Sequence, residues 1–270
     1  MLEVKELCHT YLTEDREAVA ALDTIDLVIE AGEFVAIVGP SGCGKTTLLN
    51  IAAGLETHEG TGSITVMGHE PAPGRSGVGY MLARDCLLPW RRAIDNAALA
   101  LELHGVGKRE RLRRATDALA AVQLAGFESA YPAQLSQGMR QRVALARVFA
   151  ENPELILLDE PFSALDAQTR LVAQDAFVGL WERHRATVVL VTHDLAEAVA
   201  LADRVVLMTA RPGRIKEIVD IDLPRPRTGE AWAADPQFQR VYQNLWKSLK
   251  EEVARTLDTG AQRLQKELSA

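Results

Sequence analysis

The sequence predicts an α/β protein: a mainly parallel sheet, an antiparallel β flap and an inserted α-helical subdomain. Three observations predict it. Continuous apolar runs at 33–39 (EFVAIVG), 154–160 (ELILLDE), 187–194 (TVVLVTHD) and 203–209 (DRVVLMT) have the pattern of strands buried on both faces. Helical stretches follow three of them, at KTTLLNIAAG, ALDAQTRLVAQDAFVGLWERH and LAEAVALA, and such alternation builds parallel sheets. From about Leu87 to Ala150 the strand signal fades and the text turns helical.

In chain order, LEVKELCHTY, AALDTIDLVI and GSITVMG come first. Their apolar and polar residues alternate, which assigns them to the antiparallel flap. The run at 33–39 is the first core strand. Then IDNAALALELHG, KRERLRRATDALAAVQLAG and SQGMRQRVALARVFAEN form a helical lobe, inserted between the first and second core strands. After Leu223 the run PRPRTGE breaks the pattern, and a last helix is predicted from about Asp235 to Lys266. The predicted division is therefore 1–86 (flap and first part of the core), 87–150 (helical subdomain), 151–223 (rest of the core) and 224–270 (helical tail).

With 47% hydrophobic and 25% charged residues, the chain can bury a good core. Its formal net charge of −7 argues against a mainly nucleic-acid-binding protein. Cys8, Cys43 and Cys86 form no CxxC pair and no zinc-like spacing, so they read as free thiols of a reducing cytosol. The start MLEVKELCHT has no signal pattern. No apolar run approaches the roughly 20 residues of a spanning helix. A cytoplasmic chain is expected, reaching any membrane through a partner.

GPSGCGKT at 39–46 fits G-x-x-x-x-G-K-[ST], with a buried strand before it and a helix after it. Its glycines let backbone N–H groups turn around phosphate oxygens, and the helix N-terminus adds partial positive charge. Lys45 would reach the β- and γ-phosphates and Thr46 would ligate Mg²⁺. LILLDE at 155–160 supplies two carboxylates at a strand end. Asp159 can hold Mg²⁺ through water, which leaves Glu160 to polarise the attacking water. His193 ends another core strand, at the crevice where such sheets bind ligands, and can bond the γ-phosphate. Its plainer reading is an exposed loop histidine.

GPSGCGKTT, LSQGMRQR, LILLDEPFSALD and VTHD stand in an order and spacing that resemble the nucleotide-binding subunit of ABC transporters. The resemblance covers nearly the whole chain. It implies a phosphate-loop NTPase core of the RecA-like type and an ATP hydrolase that uses Mg²⁺. ATP would lie in Gly39, Pro40, Ser41, Gly42, Cys43, Gly44, Lys45, Thr46 and Thr47, with Tyr11 stacked on adenine or, alternatively, packed in the flap. Two copies dimerise head to tail in that family, so Ser136, Gln137 and Gly138 would meet the γ-phosphate held by the partner copy. Asp166 matches the loop crossing that interface. Locally, Ser136 and Asp166 read equally well as helix N-caps. Gln137 stands for a usual glycine and Met139 for a frequent glutamine. Ala83 stands where a glutamine that senses Mg²⁺ is usual, and the first glutamine of the chain is Gln123. Either Asp85 or a water substitutes or γ-phosphate sensing is weaker here, and water is expected to complete the Mg²⁺ coordination.

GKRERLRR at 107–114 reads as a solvated helix face with Leu112, Ala115 and Leu119 inward, some of its arginines facing anionic lipid. LLPWRRAIDN at 87–96 puts Pro89 and Trp90 on a rigid corner that suits a partner groove or, alternatively, is buried within the lobe itself. LLPWR, ARPGRI and DLPRPR resemble phrases of the nitrate, sulfonate and taurine importer branch. Implied partners are a second copy and membrane permease subunits, with a solute-binding protein reached indirectly and no nucleic acid. The chain would lie peripherally on the inner face of the cell membrane. The rival is a soluble ABC-type ATPase acting on nucleic acid or ribosomes, but no long coiled-coil insertion and no second cassette is visible.

Overall fold

The computed structural model describes residues 1–12, 18–225, 227 and 235–267, with side chains described as far as residue 255. Pro226, Thr228, Gly229 and Glu230 of the predicted break lie outside the described residues. The chain divides into two compact units, Met1–Pro73 with Leu190–Ala270, and Gly74–Val189.

The first unit opens with β1 (Leu2–Leu12) and β2 (Ala18–Ile29), antiparallel with Leu2 opposite Ile29 and Val4 opposite Leu27. The alternation of these strands buries Leu2, Val4, Leu27 and Ile29 and leaves the other face to solvent. β3 (Phe34–Val38) is buried at every position, as its unbroken apolar run requires, and it feeds the phosphate loop and α1 (Lys45–Ala52). β4 (Ser63–Val66) closes the flap against the other edge of β1.

In the second unit β5 (Val78–Met81) pairs in parallel with β6 (Leu155–Asp159). Between them lie α2 (Ala93–Ala97), α3 (Leu99–Leu103), α4 (Lys108–Ala121) and α5 (Gln137–Phe149). The helical segment thus follows a second core strand, not the first as the sequence suggested. β5 escaped notice because it is four residues long and holds a glycine. The stretch predicted as one helix from 94 is two short ones, although Ala98 N still bonds Ile94 O at 2.9 Å and Glu102 N bonds Ala98 O at 3.0 Å. On α4, Ala115, Ala118 and Leu119 are buried while Leu112 is only half-buried. α6 (Ala167–His184) completes this unit.

β7 (Thr187–Val191) runs from the second unit into the first. There α7 (Leu195–Leu201), β8 (Arg204–Met208), β9 (Ile215–Asp220) and α8 (Pro236–Glu267) follow. β8 is parallel to β3 and antiparallel to β9. α8 is the predicted tail helix and buries Phe238, Leu245, Leu249 and Glu252, a 3.6-period stripe.

Arg227 lies buried in this unit. Its guanidinium donates to Val199 O, Ala202 O, Ile221 O and Leu223 O at 2.6–3.3 Å. Burial, with Arg225 beside it, lowers its pKa to about 10, so it remains a cation at neutral pH. Four carbonyls from two segments, the end of α7 and the stretch after β9, converge on this one side chain. Arg227→Met takes this shared donor from all four, of which Ile221 O keeps Leu223 N, and should cost about 3 kcal/mol of stability, checked by urea unfolding of the two proteins.

Candidate functional site

The phosphate loop lies wholly in the first unit. β3 delivers Gly39, and Cys43 N bonds Pro40 O at 3.3 Å to close the turn. Gly44, the residue before α1, has φ 100°. A side chain there would be strained and would lie 2.6 Å from Leu22 Cδ2. The loop is therefore pressed against β2 with bare backbone.

Lys45 begins α1 with only 6% of its surface exposed. Its Nζ donates to Gly39 O at 2.8 Å and Pro40 O at 3.0 Å, and lies 3.7 Å from Cys43 Sγ. These partners are all uncharged, and the first turn of α1 holds no acid. A buried ammonium among neutral partners at a helix N-terminus calls for an anion. Burial pushes the Cys43 thiol up, so it adds no negative charge. Pro40 is buried, while Ser41, Gly42 and Thr46 are exposed.

Tyr11 is brought to the same loop. Its hydroxyl lies 3.0 Å from Thr47 Oγ1 and donates to Glu56 Oε2 at 2.9 Å, and His9 packs edge-on against its ring at 4.5 Å. Burial, with the neighbouring Glu56 carboxylate, raises its pKa. His193 follows β7 and is exposed. Thr192 N bonds Ile37 O at 3.2 Å, which sets the VTHD turn beside the strand that feeds the phosphate loop. Asp194 caps α7, accepting from Ala196 N and Glu197 N.

The second unit holds the remaining residues. Asp159 is 7% exposed at the end of the wholly buried β6. Glu160 has φ 47°, a left-handed conformation that is uncommon outside glycine and is found at functional sites. Ser163 Oγ donates to its carbonyl at 3.0 Å. Tyr80, on β5, was not singled out from sequence; burial and the nearby Asp159 charge push its phenol well up.

Ser136 caps α5, accepting from Met139 N at 3.2 Å. Asp166 caps α6, accepting from Thr169 N at 3.0 Å and Thr169 Oγ1 at 2.7 Å; these bonds hold its carboxyl below the usual range. A Cβ on Gly138 would lie 1.9 Å from Thr169 Cγ2. Gly138 and Asp166 therefore meet through Thr169, and only glycine fits at 138. Gln137 is exposed beside them.

The three arginines of LSQGMRQRVALAR are engaged within the second unit. Arg140 bonds Asp85 Oδ2 at 3.0 Å and Leu135 O at 2.9 Å. Arg142 donates to Val122 O, and Arg147 to Asp85 O and Cys86 O. They clamp the segment after β5 and the end of α4 onto α5. Ala83 lies in that segment, two residues past β5. Nearby, Asn96 is fully buried: it accepts from Leu88 N and donates to Leu88 O, Arg91 O and Arg92 O. That pins the corner on which Trp90 stands 71% exposed.

Cys8, Cys43 and Cys86 are free thiols. Among the described residues no helix is long and apolar enough to cross a membrane.

A family profile described as ABC transporter matches residues 22–163. The chain is 47% identical to an uncharacterized ABC transporter ATP-binding protein of Methanocaldococcus jannaschii, over 88% of each chain. It is 42% identical to an aliphatic sulfonates import ATP-binding protein of Bacillus licheniformis, over 86% of this chain and 88% of that one. It is also 42% identical to a taurine import ATP-binding protein of Shigella boydii, over 86% and 92%. Among solved structures it resembles a dimeric ATP-binding cassette in a post-hydrolysis state, bound to ADP and Pi. The TM-score is 0.73, with 32% identity over 83% of this chain and 100% of that one. The α/β fold is thus a phosphate-loop NTPase core with an antiparallel flap and a helical insertion. The chain belongs to the ABC transporter family and is one of its ATP-binding, ATP-hydrolysing subunits.

Proposed function

We propose that this subunit powers an importer for a small anion or organic solute of the nitrate, sulfonate or taurine kind. The buried Lys45 ammonium, held by loop carbonyls at the start of α1, is the observation that carries ATP binding. The importer and its solute class are supported by the sulfonate and taurine import relatives; the phrases LLPWR, ARPGRI and DLPRPR fit the same branch without bearing on the solute, and Pro226 of the last lies outside the described residues.

In this reading Gly39 to Thr47 hold the phosphates of ATP and Tyr11 faces adenine. Thr46 and Asp159 offer a hydroxyl and a carboxylate, the hard oxygen donors that Mg²⁺ takes. When bound, Mg²⁺ neutralises charge on the β- and γ-phosphates. Glu160 polarises the attacking water and His193 bonds the γ-phosphate. Ser136, Gln137, Gly138 and Asp166 serve the nucleotide of a second copy, an arrangement supported by the dimeric state of the solved cassette. The division at 1–86, 87–150, 151–223 and 224–270 assigns flap and core, signature lobe, remaining core and tail.

Permease subunits would receive the Trp90 corner. It is large, apolar and exposed, yet fixed by Asn96, so docking orders little that is not already ordered. The subunit would then lie peripherally on the inner membrane face, and a solute-binding protein would act on the permease. A nucleic-acid partner is disfavoured: Arg113 and Arg114 of the basic run already pair with Glu110, and Arg113 also with Asp117.

Glu160→Gln should hydrolyse ATP at least ~100-fold more slowly while still binding it, and should run as an ATP-dependent dimer in size-exclusion chromatography. A monomer at saturating ATP would overturn the shared site.

Both oxygens of Asp85 are engaged, Oδ2 by Arg140 and Oδ1 by Leu87 N at 3.2 Å. We therefore assign the role of the missing glutamine at Ala83 to water. Asp85→Ala should lower stability by about 1 kcal/mol but keep most ATPase activity per folded molecule, whereas Ala83→Gln should change turnover. A folded but inactive Asp85→Ala protein would return the role to the carboxylate.

A further inference from the structure

The C-terminal helix carries a buried acid that ATP chemistry does not use. Glu252 is fully buried on α8. Its Oε1 lies 3.0 Å from Lys216 Nζ of β9 and 2.9 Å from Arg255 on its own helix. Its Oε2 accepts from Ala210 N at 3.2 Å. Burial raises the carboxyl's pKa, but Lys216 and the Ala210 N–H outweigh it and leave the group below its ordinary value.

Ala210 belongs to a tight turn after β8. Thr209 N bonds Arg214 O at 2.9 Å and Arg214 N bonds Thr209 Oγ1 at 3.0 Å. Within that turn Gly213 N bonds Ala21 O at 2.9 Å, and Asp23 N bonds Gly213 O at 2.9 Å. A Cβ on Gly213 would lie 1.9 Å from Cys43 O, so this backbone is packed directly behind the phosphate loop. On the loop's other end, a Cβ on Gly39 would lie 3.0 Å from Met208 O and 3.1 Å from Met208 Cβ. The wall behind the loop is thus made by residues 208–213, and α8 grips that wall through the Glu252 carboxylate.

We infer that Glu252 is a positioning residue for ATP: through the Ala210 N–H it fixes the 209–214 turn, and Gly213 in turn fixes the phosphate loop at Cys43. The inference rests on the phosphate-loop reading and gives the tail helix a task in nucleotide binding. A charge-assisted bond to a buried carboxylate is among the stronger kinds, and its loss leaves a buried donor unpaired. Because the bond supports the loop and touches no reacting atom, its removal should weaken ATP binding more than turnover.

The test uses the full-length chain and the Cys43 thiol, buried at 1% exposure, as a reporter of loop opening. Alkylation of Cys43 by iodoacetamide is followed by peptide mass spectrometry, beside the KM for ATP and kcat per folded molecule. Glu252→Ala should alkylate Cys43 about tenfold faster and raise KM about tenfold, with kcat within about twofold. Glu252→Gln keeps an acceptor for the Ala210 N–H and should restore most of both. Should Glu252→Ala fail to fold, Lys216→Met, which removes the ammonium that seats Glu252, should shift both readouts in the same direction. Unchanged Cys43 alkylation and KM in the folded variant overturn the inference, as do changes that only track the unfolded fraction seen by circular dichroism. ATP should protect Cys43 in the unaltered chain. Absence of that protection overturns the phosphate-loop reading itself, a separate outcome from unchanged alkylation in the variant.

Discussion

A charge taken out of water sets the terms for the first unit. The Lys45 ammonium is almost wholly buried, and its partners are carbonyl oxygens and a thiol. Stripping an ammonium of water costs several kcal/mol unless something compensates. Here the loop wraps its own carbonyls around the cation and points a helix N-terminus in the same direction. That geometry is available only because β3 is apolar on both faces and anchors the loop's start. It also needs bare backbone, as at Gly44, for the loop to lie against Leu22. The flap, the core strand and the turn after β8 all serve to hold one short loop in a shape that an anion completes.

The second unit handles positive charge differently. Three arginines stand on α5, yet each is spent on carbonyls or on Asp85 inside the unit. What α5 leaves open is its N-terminus, where Ser136 bonds Met139 N and Gln137 is exposed. A helix start carries roughly half a charge in a fixed direction, with no long side chain to reorder. Thr169 ties that start to the Asp166 cap, so the two segments read as trans contacts form one rigid patch. Arg140, bonded to Leu135 O, holds the chain just before that start.

The legible parts of this molecule were those whose cause is local. Unbroken apolar runs announced β3, β6, β7 and β8, and the glycine and lysine spacing announced the phosphate loop. β5 was missed because Val-Gly-Tyr-Met offers only four residues, and β9 because Ile-Lys-Glu-Ile-Val-Asp at an edge mixes charge with half-buried positions. The remote partnerships were not legible at all. Nothing local in the sequence ties Arg147 to Asp85 O, 62 residues away, or Glu252 to Ala210 N, 42 residues away. Arg227 has no carboxylate beside it in sequence to suggest burial; its partners are carbonyls, which every residue carries. Ser136 and Asp166 show the reverse case, for the N-cap and the ligand readings rest on the same oxygen atoms.

ARPGRI attracted notice as a phrase shared with importers of small anions. The structure gives that phrase a physical content which has nothing to do with a solute. Gly213 is bare because Cys43 O occupies the space of a side chain. Arg214 pairs with Asp23, and Arg211 Nε donates to Ala20 O at 3.2 Å, so both arginines bind the turn to β2. The segment therefore speaks for how the loop is supported. The solute reading has to rest on whole-chain similarity to sulfonate and taurine import subunits, since the residues of this turn are already accounted for by the packing behind the phosphate loop.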